Sequence, residues 1–214
     1  MSASEDVPVV VEHSSSIADT SYAGNPVPAT SAYLPTLVVR SNRQAYVYLQ
    51  NASPNTANVT LRFYNRDGSL VHTRYETIPA SGRTALHLNS ISEVFNGFAQ
   101  NSGTGSLFAT ITNGANIAAS AQIDYPNRAY AYAGPSAGDT VLWTPGVFRR
   151  KSGDTWELYS AVNVQNLDDS IATIHVEFID CDGNITYQFN QSVYAKSTIA
   201  YNSRYPRGAG TLLC

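Results

Sequence analysis

Several groups of residues in this chain have types and spacings that could do chemistry. Asp168-Asp169 and Asp180-x-Asp182-Gly183-Asn184 gather carboxylates of the kind calcium takes as oxygen ligands. A strand between the two groups would hold them about 25–30 Å apart, at about 3.3 Å of rise per residue. Two or three carboxylates in one loop fall short of a calcium shell, so a hairpin turn is the simpler reading. His13, His72, His87 and His175 include no HxH or HxxxH pair, and zinc needs three or four convergent ligands. His72 and His87 would meet only if their strands were neighbours in one sheet. The serines include no Gly-x-Ser-x-Gly elbow. Gly103-Thr104-Gly105-Ser106 lacks the Lys-Ser/Thr ending of a phosphate loop and a helix to follow it, which leaves a turn. Cys181 sits between Asp180 and Asp182, anions that disfavour a thiolate. It reads as an inert thiol, or as half of a disulfide with Cys214 or with a partner elsewhere. No catalytic residue, metal site or cofactor is expected.

The aromatic residues offer one sharper possibility. Trp143, Trp156 and Tyr159, with Tyr130, Tyr132, Tyr201 and Tyr205, could stack on sugar rings at the end of a sheet sandwich. The plainer reading is packing. Trp143 and Tyr132 would fill a junction between repeats and Trp156 would cover a core, because repeat proteins depend on contacts between neighbouring units.

The elements that would position these groups are strands. Charged residues are only 14% of the 214, against the usual quarter of a soluble chain, so the polar surface must come from Ser, Thr, Asn, Gln and Tyr. That composition suits pleated sheets and turns better than exposed helices. The net charge of −3 gives no basic face for nucleic acid or an anionic membrane. No run of apolar residues is long enough to span a bilayer as a helix. The first residues, Met1-Ser-Ala-Ser-Glu-Asp, show no signal peptide.

The chain also repeats itself at a spacing of 115. Tyr48-Leu49-Gln50-Asn51 returns as Asn163-Val164-Gln165-Asn166. Ala57 to Phe63 returns as Ala172 to Phe178, and Asp67-Gly68 as Asp182-Gly183. Tyr22-Ala23-Gly24 matches Tyr132-Ala133-Gly134, with Val9-Val10-Val11 in the place of Ala119-Ser120-Ala121. Gly210 to Cys214 resembles Gly105 to Ala109. The expected domains are therefore three. Residues 1–32 carry the closing strand of a preceding repeat plus a linker, 33–133 a complete repeat, and 134–214 a second repeat truncated at its C-terminal side.

Within the complete repeat, period-two alternation marks seven strands. Val47 and Leu49 face inward, as do Val59, Leu61 and Phe63, then Leu86 and Leu88, then Leu107, Ala109 and Ile111, then Ile117, Ala119, Ala121 and Ile123. One helical turn is expected at 91–95. Asp67-Gly68 and Asn113-Gly114 read as hairpin turns, since Gly accepts the positive φ they require. Residues 127–139, rich in Ala, Gly, Pro and Tyr, read as a linker. The expected fold is all-β: tandem immunoglobulin-like antiparallel β-sandwich repeats, the second copy incomplete. Part of the second copy's inner face and a sheet edge should then lie exposed.

Tyr33-Leu34-Pro35-Thr36-Leu37-Val38-Val39-Arg40 leading into Leu49-Gln50-Asn51, with Val164-Gln165-Asn166 and Phe178-Ile179-Asp180-Cys181-Asp182-Gly183, resembles a repeat of surface and secreted proteins of filamentous Chloroflexi-type bacteria. The stretch Val141-Leu142-Trp143-Thr144-Pro145 departs from that pattern. The resemblance implies secretion or cell-surface display in tandem arrays, and no particular activity. The expectation is a non-catalytic extracellular structural or adhesion module. Its partners would be neighbouring repeats of the same chain, other surface proteins or polysaccharide. The alternative is a carbohydrate-binding sandwich appended to a secreted enzyme.

Overall fold

The computed structural model describes residues 10–14, 19–23, 27–100, 102–144, 147 and 149–202. The chain divides into two units, Met1–Gly138 and Asp139–Cys214. The first opens with a hairpin of β1 (Val10–Ser14) and β2 (Asp19–Ala23). Then come β3 (Ser31–Val38), β4 (Gln44–Asn51), β5 (Ala57–Asn65), β6 (Leu70–Ile78) and β7 (Arg83–His87). A 3₁₀ turn at Leu88–Ser90 leads into α1 (Ser92–Gln100). The unit ends with β8 (Thr104–Ile111), β9 (Ile117–Tyr125) and β10 (Arg128–Ala133). The second unit holds β11 (Arg149–Ser152), β12 (Thr155–Tyr159), β13 (Ala161–Gln165), β14 (Ala172–Ile179), β15 (Ile185–Val193) and β16 (Thr198–Asn202).

The first unit is an all-β antiparallel sandwich, as the alternation requires. One sheet runs β3-β8-β5-β6 and the other β10-β9-β4-β7. Val47 and Leu49 of one sheet and Leu61, Phe63 and Leu107 of the other share a single buried core. Each such side chain contributes about 1.5–3 kcal/mol by leaving water. A one-residue slip of β5 would exchange Leu61 for Arg62 at the core, so the register is strongly fixed. Phe98 of α1 enters the core beside Gly105, where a Cβ would lie 2.3 Å from its ring. The helix is nine residues long, more than the single turn expected, because Val94 and Phe98 both bury from one face.

Two expectations need correction. Asn113-Gly114 does reverse the chain, with Gly114 at φ 76°, but β8 and β9 do not form a hairpin. The segment crosses from one sheet to the other. Its polar groups are held by both: Asn113 Nδ2 donates to the Thr56 carbonyl, and the Ala52 N–H donates to the Asn116 carbonyl. As a result β3 pairs with β8 and β9 with β4. The immunoglobulin plan would put the first strand beside the second and the last beside the sixth, so two strands have exchanged sheets. The second correction concerns 127–139. Residues Arg128–Ala133 are a strand paired to β9, in which Ala129 is buried, Tyr132 packs against the core and Tyr130, nearer the turn, is exposed.

The 115-residue repeat is present in the strand ladders. Val47 faces Leu86 and Val162 faces Tyr201; Val59 faces Glu76 and Ile174 faces Gln191. Even the irregularity in register after Phe63 returns after Phe178. The described residues of the second unit thus hold the equivalents of β4 to β7 as β13 to β16, and none of β8 to β10. Its inward positions Val162, Ile174, Val176 and Phe178 are half-buried, where their counterparts in the first unit are buried. The segment 210–214, likened to the start of β8, lies outside the described residues.

The opening hairpin carries a second equivalence. Val11 faces Tyr22 as Ala121 faces Tyr132, and Val10 faces Ala23 as Ser120 faces Ala133, every partner displaced by 110 positions.

Candidate functional site

The polar group most firmly built into each unit is an asparagine that no catalytic or metal-binding motif singles out. Asn51 ends β4 and is fully buried. Its Nδ2 donates to the carbonyls of Asn55, Ile78 and Pro79 at 2.8, 3.2 and 2.9 Å, and its Oδ1 accepts the Ser53 N–H at 2.9 Å. One side chain therefore ties the β4–β5 turn to the end of β6. Asn166 does the same 115 positions on, donating to Ser170, Val193 and Tyr194 and accepting from Asp168. The recurrence of Gln-Asn was the available signal. The turn after β6 repeats too, with Ser81 and Lys196 in the left-handed region at φ 53° and 57°. All of this is framework, with no group aimed at a ligand.

The acidic residues serve turns. Asp180 Oδ1 accepts from the N–H groups of Asn184 and Asp182, and these bonds, that from Asn184 foremost, hold its carboxyl below the usual range. Asp67 is lowered likewise, chiefly by the Ser69 hydroxyl. Asp169 pairs with Lys196 at 3.0 Å at the surface. Among the described residues, no three His, Cys, Asp or Glu side chains converge to hold a metal ion. His72 and His87 do not meet, because β6 and β7 belong to different sheets. The link Pro79-Ala80-Ser81-Gly82 carries the chain between layers instead of closing a hairpin. His87 stacks on Tyr46 with ring centroids 4.7 Å apart, and His175 lies 2.8 Å from the Asn190 amide oxygen and 3.2 Å from Glu177. His13 has no described side chain. Gly103 ends a turn at φ 69° and its neighbours begin β8, so a strand, and not a helix, follows the glycine pair. Cys181 is disulfide-bonded, and Cys214, the chain's other cysteine, lies outside the described residues.

The proposed stacking residues do not form a described cluster. Trp143 is 78% exposed, beside exposed Val141 and Leu142. Trp156 and Tyr159 lie on β12, with only their backbone described. Tyr132 packs against its own unit's core. Its hydroxyl donates to the Thr36 carbonyl and accepts the Thr36 N–H at 3.1 Å, and burial pushes its phenol well above the ordinary value. Tyr201 packs on Phe189 at 5.2 Å, and its phenol is pushed up to about 12 by desolvation. Tyr205 lies outside the described residues.

Two further aromatic groupings emerge only in the folded chain. Tyr33, Phe108 and Tyr64 form a row on the outer face of the β3-β8-β5 sheet, with successive centroids 5.0 Å apart. Phe108 and Tyr64 are buried and Tyr33 is half-buried, so the row packs mostly within the sheet's own surface. At the β9–β10 turn the Arg43 and Arg128 guanidiniums lie 4.6 and 4.8 Å from the Tyr125 ring, and Tyr130 meets that ring edge-on at 5.5 Å. The protein's own cations thus occupy this aromatic surface.

These features define an all-β antiparallel sandwich protein with an internal repeat. No family model matches the chain, and no curated protein matches it in sequence. Among solved structures, Thermotoga maritima protein 1070 aligns with a TM-score of 0.42 at 12% identity, over 51% of this chain and 96% of that one. The Anabaena sensory rhodopsin transducer aligns with a TM-score of 0.35 at 15% identity, over 44% of this chain and 94% of that one.

Proposed function

We propose that the chain is a non-catalytic structural module, a spacer or scaffold of tandem immunoglobulin-like repeats in a secreted or surface protein of the Chloroflexi-type kind it resembles. The observation that carries this reading is what the two units share. Register, the irregularity after Phe63 and Phe178, and the Asn51 and Asn166 clamps recur, while outward residues at matching positions differ freely, Arg62 against Glu177 and Tyr48 against Asn163. A site serving each repeat would recur on the surface; here only the framework does. The disulfide at Cys181 supports an oxidising compartment. Protease shaving of intact cells tests the placement: release of fragments from this chain is expected, and full protection would overturn it.

The exposed Trp143 favours one second reading, a carbohydrate-binding module. Polysaccharide pull-down separates the two. No saturable binding is expected, whereas binding lost on Trp143→Ala or Trp156→Ala would replace the scaffold reading.

A further inference from the structure

β4 is paired on both edges, with β7 on one side and β9 on the other. Its counterpart β13 is paired with β16, and among the described residues no strand occupies its second edge. Gln165, at the end of β13, is half-buried, and its two amide atoms are shielded from solvent with no hydrogen-bond partner. A free edge is a row of N–H and C=O groups ready to accept another strand. The chain also carries a spare hairpin of matching kind. β1 and β2 reproduce the β9–β10 register pair for pair, and β2 lies beside β10 without a ladder between them.

We propose that the β1–β2 hairpin of one molecule adds to the β13 edge of a second copy of this chain. The order β2-β1-β13-β16 would then repeat β10-β9-β4-β7. The pairing of Val47 with Ala121 and of Tyr48 with Ser120 fixes the register: Val11 opposite Val162, and Val10 opposite Asn163. Val11 then takes the place of Ala121, which is buried in the first core, and Val162 gains the apolar partner that Val47 already has. The hairpin gives up a side-by-side contact and gains main-chain hydrogen bonds, the economy of strand addition. Donor and acceptor lie at different places on the chain, so the contact is head-to-tail and builds rings or open filaments. The inference rests on strand register alone and is independent of surface display.

The test uses the full chain. Val11→Cys and Val162→Cys variants are mixed under mild oxidation, and adducts are mapped by mass spectrometry. A disulfide joining position 11 of one chain to position 162 of another is expected, with light scattering showing species above the monomer that grow with concentration. Val11→Asp should weaken self-association by about tenfold or more, because it sets a charge against an apolar edge, while leaving the circular dichroism of the first unit unchanged. A chain that stays monomeric at all concentrations would overturn the proposal. So would a link that forms only within the doubly substituted chain and never in the mixture.

Discussion

Removing the Asn51 clamp should be among the most damaging single changes to the first unit. Asn51→Ala deletes one acceptor and both amide hydrogens. Four backbone groups lose a partner: the carbonyls of Asn55, Ile78 and Pro79 and the N–H of Ser53. The bonds to Asn55 and Pro79 are partly exposed, so those carbonyls can turn to water; the bonds to Ile78 and Ser53 are buried. Two buried groups left unsatisfied, at about 1–3 kcal/mol each, give a loss of about 3 kcal/mol. With a urea m-value near 2 kcal/mol/M, the midpoint should fall by about 1.5 M. Hydrogen exchange in urea would follow the first unit. Tryptophan fluorescence would follow the second, because Trp143 and Trp156 both lie there. Asn51→Ala should lower the first transition and leave the second in place; Asn166→Ala should do the reverse. Asn51→Asp keeps the shape and the acceptor but points a carboxylate at carbonyls, and should cost at least as much as Ala. A shift below about 0.25 M for Asn51→Ala, about 0.5 kcal/mol and so within the range of ordinary surface changes, or a tolerated Asp, would refute the argument.

Gly105→Ala should cost about 1–3 kcal/mol by overpacking, because the new Cβ meets the Phe98 ring at 2.3 Å and the Tyr64 carbonyl at 2.6 Å. Chemical denaturation reads it, and Phe98→Leu should restore only part, since the carbonyl stays. Tyr132→Phe should cost about 1–2 kcal/mol by leaving the Thr36 N–H and carbonyl without their partner. The raised folded pKa of Tyr132 also gives a sign for alkali. Its contribution is complete below the ordinary value of 10 and is lost as the pH climbs from there toward the folded value. Melting temperatures above pH 10 should therefore fall more steeply for the native chain than for Tyr132→Phe. His175 should titrate above its ordinary 6.5, held up chiefly by the bond to Asn190, and Asn190→Ala should bring it back down. Any stability it adds is present below 6.5 and lost as pH rises through the folded value. An imidazole NMR titration unmoved by Asn190→Ala would count against this.

Much of the sandwich was legible because its signals are local. The alternation of Val59, Leu61 and Phe63 and the glycine of Asp67-Gly68 dictate the β5–β6 hairpin without help from the rest of the chain. The repeat was legible because inward positions tolerate only apolar exchange. Asn113-Gly114 misled because turn chemistry specifies a reversal of direction and says nothing about which sheet receives the next strand. That choice is made by Asn113 and Asn116, whose partners lie far away in sequence. β10 resembles a linker in sequence because alanine and tyrosine alternate there in place of branched residues. Of the aromatic residues singled out, Trp143 stands in solvent and Tyr132 against the core, and nothing in their spacing distinguished the two. The clamp residues were visible as a repeated Gln-Asn, but their bonds to the end of β6 depend on the sandwich being closed.

The exchange of β3 and β9 between sheets has a consequence for biosynthesis. Tyr33 must wait for Phe108, and Val47 for Ala121, so one ladder in each sheet joins distant parts of the chain. Closing such large loops is slow, and chains rich in distant pairings are slow to fold. On the ribosome β5 and β6 can zip as they emerge, while β3 must stay extended and unsatisfied until β8 has cleared the exit tunnel. Nascent chains halted before β8 should therefore be captured by holding chaperones, and those halted after β10 should not.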